Sequence, residues 1–124
     1  MEIYLIIQRM HWYIEKVEFG VMGMVIGELD ELEGTPKQVA WALQIRQDVV
    51  EKVQQSIKAF IENNKPGRAE VLSLGLPRLL AKRTKASWWI DRRYHKLAHW
   101  EAEIERLVPE AQAIYDKHNE VWIF

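Results

Sequence analysis

The densest group of side chains that could carry out chemistry lies between residues 78 and 96, where basic and aromatic residues interleave. The basic residues there are Arg78, Lys82, Arg83, Lys85, Arg92, Arg93 and Lys96. Arginine and lysine bind phosphate, and an exposed tryptophan can stack on an unpaired base. The segment therefore predicts a surface that binds nucleic acid, with Trp88 facing outward and Trp89 nearer the core.

Charge is distributed unevenly along the 124 residues, although the net charge is only −1. Residues 65–96 hold nine basic and two acidic side chains, a balance of +7, whereas residues 1–34 carry −5 and residues 97–124 carry −4. A basic middle of this kind favours a polyanionic partner. The alternative is that the acidic ends neutralise it. In that case both Trp88 and Trp89 would pack in the domain, and the arginines would pair with glutamates within 28–33 or 101–105.

A second group of residues has the spacing of a metal site. Asp91, His95, His99 and Glu103 recur every four residues, so they would line up along successive turns of one helix. A histidine pair at this spacing can hold zinc. The row drifts toward the solvent side of that helix, where rows of charged side chains are ordinary and do not indicate a metal ion. A metal-dependent enzyme is therefore the weakest of the functional hypotheses, and no cofactor is expected.

Other catalytic chemistry has little support. The absence of cysteine excludes disulfides and thiol catalysis and is compatible with a reducing cytoplasm. Ser56, Ser73 and Ser87 lie outside any G-x-S-x-G elbow, and there is no Walker loop. We find no signal peptide and no run of the roughly 20 apolar residues that a membrane span needs. These patterns predict a non-enzymatic, cytoplasmic protein with no membrane partner.

The elements that position these residues begin with a long amphipathic helix from Thr35 to Asn63. Thr35 and Gln38 match a capping box, and Pro36 suits the first helical position. At helical spacing, the apolar stripe comprises Val39, Ala42, Leu43, Val49, Val50, Val53, Ile57, Phe60 and Ile61.

Two residues break the pattern of this helix. Arg46 lies within the apolar stripe, where its aliphatic stem can pack in the core while its head pairs with a carboxylate, unless the arginine is functional. Trp41 lies on the polar side. It is either covered by another element or an exposed anchor for a partner.

The rest of the chain predicts strands and shorter helices. Residues 2–26 and the tail at 121–124 are rich in β-branched and aromatic residues, which favours strands. Residues 68–83 suggest two short helices separated at Gly75-Leu76-Pro77. A third long helix would start with a Thr84 or Ser87 cap and end near Leu107, followed by a last short helix after Pro109. The apolar line of that third helix would comprise Ile90, Tyr94, Leu97, Ile104 and Val108.

The predicted fold is α+β, with a small antiparallel N-terminal sheet packed on a helical bundle that has two long helices. One domain would span residues 1–124, with a β-rich part at 1–33 and a helical part at 34–124.

Two segments carry a resemblance to a known group of proteins. The stretches GTPKQVAWALQIR (34–46) and TKASWWIDRR (84–93) resemble a small domain of phage and other mobile-element proteins, whose pattern runs G-[ST]-x-K-Q-x-A-W-A-x-x-I-R and then K-x-W-W-I-D-x-R. That family is without an assigned enzymatic activity, so the resemblance implies a setting more than a mechanism. It also implies that the following residues belong to one unit: Trp41, Arg46, Trp88, Trp89, Asp91 and Arg93. Our physical interpretation is that the two segments pack together, with Arg46 reaching Asp91.

Two binding hypotheses follow. The leading one is a mobile-element protein that engages nucleic acid or a nucleoprotein through residues 78–96. The alternative is a protein–protein inhibitor of a host defence system, similar to anti-CRISPR proteins, that binds its effector through Trp41 and the acidic ends.

Overall fold

The computed structural model describes residues 31–120, and these residues are mostly helical. The helices, in chain order, are α1 (Pro36–Glu62), α2 (Pro66–Lys82), α3 (Ala86–Asp91), α4 (Leu97–Glu105) and α5 (Ala111–Lys117). They account for 73% of the described residues, which contain no β-strand or sheet. The predicted α+β fold with a sheet is therefore wrong. The described helices bury their apolar faces against one another and not against a sheet. The strands predicted at 2–26 and 121–124 lie outside the described residues.

Helix α1 confirms the predicted long helix. The Thr35 hydroxyl accepts a hydrogen bond from the Gln38 backbone N–H, and the Gln38 side chain accepts one from the Thr35 N–H. This capping box satisfies backbone donors that an uncapped helix start would leave without partners. The apolar stripe is buried over most of its length, but Leu43 is 41% exposed, so its place in the stripe was wrongly predicted.

Helix α2 is continuous where the sequence predicted a break. Pro77 lies inside it and cannot donate the usual backbone hydrogen bond, a defect that costs about 3 kcal/mol. The helix also buries Leu72, Leu76, Leu79 and Leu80, each at most 2% exposed. Burying one such side chain stabilises the fold by about 1.5–3 kcal/mol, so four of them outweigh the proline.

Gly75 on α2 allows a close approach of α4. A Cβ at this position would lie 2.6 Å from the carbonyl oxygen of Ile104 and 2.9 Å from a methyl group of Val108. In an exposed helix, replacing glycine with alanine adds about 1 kcal/mol of stability. Here we expect Gly75→Ala to lower the free energy of unfolding by about 1–3 kcal/mol, because the helices must move apart. Urea titration of both proteins measures the sign, and a more stable variant would contradict this packing.

The predicted third long helix is two short helices. Helix α3 ends at Asp91, residues 92–94 form a turn, and α4 begins at Leu97. In one straight helix, Trp89 and Trp100 would be separated by about 16 Å along the axis. The turn instead lets their rings stack, with centroids 5.5 Å apart and planes inclined by 22°. Both side chains are buried, so the tryptophan stack is part of the core.

The break also changes which residues of the predicted apolar line are buried. Ile104 and Val108 are core residues, whereas Tyr94 is 84% exposed and Leu97 is 37% exposed. Tyr94 lies in the turn, where the spacing of a helix no longer determines its direction. None of the described helices is long and apolar enough to cross a membrane.

Candidate nucleic-acid interface

A short backbone contact brings the start of α1 beside the start of α3. The Glu33 N–H donates to the Thr84 carbonyl oxygen at 2.7 Å, and the Ala86 N–H donates to the Glu33 carbonyl oxygen at 2.9 Å. Gly34 permits this contact, since a Cβ there would lie 3.1 Å from the Cβ of Ala86. The contact also supplies an acceptor at the start of α3, where neither Thr84 nor Ser87 acts as the predicted cap. Lys85 is the N-cap residue and makes no side-chain capping bond.

Two groups of cationic and aromatic side chains flank this junction. The first, here called the Trp88 clamp, consists of Arg83, Trp88 and Arg92. The guanidinium carbons of Arg83 and Arg92 lie 4.8 and 4.2 Å from the Trp88 ring centroid. The ring of Trp89 meets Trp88 edge-on at 5.1 Å. Trp88 is thus half-buried and already in contact with protein groups, and its main effect is to hold two arginines in place.

The second group, here called the Arg93 stack, consists of Trp41, Arg93 and Tyr94. The Arg93 guanidinium carbon lies 5.2 Å from the Trp41 ring centroid and 4.6 Å from that of Tyr94. Its Nη1 donates to the Ile90 carbonyl oxygen at 2.7 Å, which fixes the side chain. Trp41 remains 48% exposed. The two groups meet at the consecutive residues Arg92 and Arg93.

The lysines predicted for the interface are exposed, and the part of the chain that the structure describes does not compensate their charge. Within residues 31–120, no carboxylate forms an ion pair with Lys82, Lys85 or Lys96. Exposed ammonium groups of this kind attract phosphate and lose that attraction as salt is added. We call these lysines, together with the Trp88 clamp and the Arg93 stack, the basic–aromatic face, because all of its residues except Trp41 fall within residues 82–96.

Arg78 is not part of this face. Its Nη1 donates to Glu110 Oε1 at 2.7 Å and to the carbonyl oxygen of Leu107 at 2.9 Å. The hydrogen bond to Glu110 raises the pKa of Arg78 and holds the pKa of Glu110 below its usual value. Arg78 is thus a surface tie between α2 and the start of α5. Glu110 lies outside the ranges predicted to neutralise the basic segment, whereas Glu103, within the predicted range 101–105, lies 4.0 Å from Arg92.

The acidic residues of α4 at 101 and 105 face the core instead. Glu101 is 7% exposed and accepts a hydrogen bond from the Ser56 hydroxyl at 2.7 Å. Glu105 is 4% exposed and accepts one from the Tyr115 hydroxyl at 3.1 Å. Arg68 is also buried, and its charge favours the ionised form of Glu101. These two carboxylates are enclosed and hydrogen-bonded within the helix packing, whereas Glu103 on the same helix lies 4.0 Å from Arg92 of the basic–aromatic face.

Burial raises the pKa of Glu101 above its ordinary 4.5, while Ser56 and Arg68 act in the opposite direction. The folded protein therefore binds this proton more tightly than the unfolded chain does. The stability that the group contributes is present below pH 4.5 and is lost as the pH rises through the raised pKa. We expect Glu101→Gln, which keeps an oxygen for Ser56, to gain stability relative to the unaltered protein across that rise. Urea titrations from about pH 4 to pH 8 measure the difference, and a constant difference would contradict the prediction.

The predicted ion pair between Arg46 and Asp91 is not formed. Arg46 is 8% exposed, and burial lowers the pKa of its guanidinium, whereas Asp91 is the exposed last residue of α3. No salt bridge joins the two, although the structure describes both. The two segments nevertheless pack together through α1 and α3, whose contacts are extensive.

The predicted metal row is not assembled. The turn after α3 removes Asp91 and His95 from the helix that carries His99 and Glu103. Nδ1 of His99 accepts a hydrogen bond from the Lys96 N–H at 3.3 Å, and His95 packs on Trp100 at 5.3 Å. Residues 31–120 contain no group of three or more His, Asp or Glu side chains placed to hold a metal ion.

Tyr94, which the sequence placed in the core, is exposed and lies against Arg93, so it joins the candidate interface. Its place in the basic and aromatic run was the signal, but the prediction of an unbroken helix assigned it to the core. Lys37, near the N-terminus of α1, is also exposed and lies one turn before Trp41.

Comparisons with protein-family models, with curated proteins and with solved structures find no match to this chain.

Proposed function

We propose that this protein binds nucleic acid, alone or within a nucleoprotein, through the basic–aromatic face. The observation that supports this most is the Arg93 stack, where a hydrogen-bonded guanidinium lies against two exposed aromatic rings. A guanidinium binds phosphate through several N–H donors, and Arg93 uses one of its five on Ile90. Phosphate binding and ring stacking are thereby available within a few ångströms of each other.

The lysines extend the positive charge on either side of α3. Lys85 precedes that helix, while Lys96 follows the turn after it. Such sequence-independent contacts supply most of the affinity in non-specific binding. The mobile-element setting implied by the resemblance is compatible with this function and is part of the proposal.

Equilibrium binding at low salt tests the proposal. Labelled DNA and RNA, each single-stranded and duplex, would be titrated with the protein and followed by fluorescence anisotropy. We expect binding that weakens steeply as salt is added, because counterions compete for the phosphates. Absence of binding to all four at low salt would overturn the proposal.

A protein–protein inhibitor is the second candidate, and the exposure of Trp41 and Leu43 on the same helix favours it. Exposed tryptophan is a common anchor at protein interfaces. In this case a host protein, such as a defence effector, would be captured from lysate by the unaltered protein and not by Trp41→Ala. Equal capture by both would remove Trp41 as the anchor.

A further inference from the structure

We propose that the basic–aromatic face prefers single-stranded nucleic acid, with an unpaired base stacking on the exposed rings of Trp41 and Tyr94. The inference rests on the proposed function and adds the class of ligand. It assigns two separable contributions: the aromatic rings contact a base, and the cations contact the phosphates beside it.

The rings of Trp41 and Tyr94 are exposed, although this fold buries other large aromatic side chains. Trp89 and Trp100 are at most 3% exposed, so the fold can bury tryptophan fully. Trp41 nevertheless keeps 48% of its surface exposed, and Tyr94 keeps 84%. Among the described residues, the guanidinium of Arg93 lies against each ring, and the exposed remainder is open to a ligand.

Trp88 differs from Trp41 and Tyr94 because several protein groups already pack against its ring. Trp88 has an arginine at 4.8 Å, another at 4.2 Å and a tryptophan edge at 5.1 Å, so its ring is already occupied. The stacking role predicted for Trp88 thus passes to Trp41 and Tyr94. Both lie against the same cation, so a base stacked on either ring would bring its phosphate close to Arg93.

The face is better suited to a single strand than to a duplex. In a duplex, the flat faces of the bases are covered by their neighbours, so only an unpaired base can stack on a protein ring. Proteins that read a duplex commonly insert a helix into the major groove. Helix α3 has six residues and buries Ala86 and Trp89, so it offers little surface to a groove.

The test compares ligands that differ only in what the rings could contact. Twelve-nucleotide single strands of DNA and of RNA, the matching duplexes, and an abasic DNA strand of equal charge would be titrated by anisotropy at low salt. The proteins would be the unaltered chain, Trp41→Ala and Tyr94→Ala, with Lys117→Gln on α5 as a control away from the face. Thermal melting would establish that each variant is folded.

We expect the single strands to bind at least about tenfold more tightly than the duplexes. Each aromatic variant should weaken single-strand binding roughly 5- to 100-fold, the range for one lost base stack, and leave duplex binding unchanged. The unaltered protein should bind the abasic strand at least as weakly as Trp41→Ala binds the normal one, because the abasic strand loses the stacking on both rings. The DNA and RNA arms identify which strand is preferred.

Three results would overturn the inference. One is equal or tighter binding of duplex, and another is full-strength binding of the abasic strand. The third is unchanged single-strand binding by both folded aromatic variants. Each of these leaves the proposed function standing, whereas absence of binding to every oligonucleotide removes the proposed function together with this inference.

Discussion

Replacing Trp89 with alanine is expected to lower the free energy of unfolding by about 3–5 kcal/mol. Trp89 is fully buried, its ring stacks on Trp100, and its indole N–H donates to the Arg83 carbonyl oxygen at 2.9 Å. The substitution therefore leaves a cavity and an unsatisfied acceptor. A small domain is stable by only about 5–15 kcal/mol, so much of the population would unfold.

The matched control is the same substitution at an exposed tryptophan. Trp41→Ala removes an identical side chain that is 48% exposed, so its effect on unfolding should be within about 1 kcal/mol. Urea titration followed by circular dichroism measures both. Equal losses at positions 41 and 89 would contradict the division of the tryptophans into a core group and a surface group.

Neutralising three lysines of the basic–aromatic face is the second large effect. For Lys82→Gln/Lys85→Gln/Lys96→Gln, we expect the slope of log K against log salt to become shallower by about 0.7 per lost phosphate contact on a single strand. Affinity near 50 mM salt should fall on the order of tenfold per lysine. Stability should change little, since all three side chains are exposed.

Lys117→Gln is the control for this charge variant. Lys117 is also exposed, but it lies on α5 and pairs with Glu70 at 3.2 Å. Its replacement should leave the salt slope unaltered. If the triple variant and Lys117→Gln lower affinity equally per charge, binding follows net charge alone and the face has no special role.

The sequence was sufficient for α1 because its capping signals and its apolar spacing agreed, although Arg46 and Trp41 interrupt the pattern. Thr35, Pro36 and Gln38 mark its start, and the apolar stripe continues for seven turns. Helix α2 was mispredicted because Pro77 is a strong local signal, while the leucine burial that overrides it depends on the neighbouring helices. Proline predicts a helix break only where nothing else stabilises the helix.

The break between α3 and α4 shows the limit of periodicity. Residues 84–107 continue a helical pattern well, yet the chain turns so that Trp89 and Trp100 can stack. That stack pairs residues from different elements, which no local pattern records. The same error hid Tyr94, because its exposure depends on the turn.

The candidate site was partly predictable. Lys82, Arg83, Lys85, Arg92, Arg93 and Lys96 were identified from charge, and the structure brings Trp41 onto Arg93 through the packing of α1 on α3. The pairing of Arg78 with Glu110 was not foreseeable, since it joins residues far apart in sequence. The enclosure of Glu101 and Glu105 was likewise set by helix packing, and it keeps both carboxylates away from the basic–aromatic face.

The response of individual indole N–H signals to a single-stranded oligonucleotide tests most directly whether nucleic acid contacts Trp41 on the basic–aromatic face. The chain has six tryptophans, and each signal in a nitrogen–proton correlation spectrum can be assigned by a Trp→Phe substitution. We expect the Trp41 signal to shift progressively on titration at low salt while the Trp89 signal stays in place. A bound oligonucleotide that leaves the Trp41 signal unmoved would contradict this expectation.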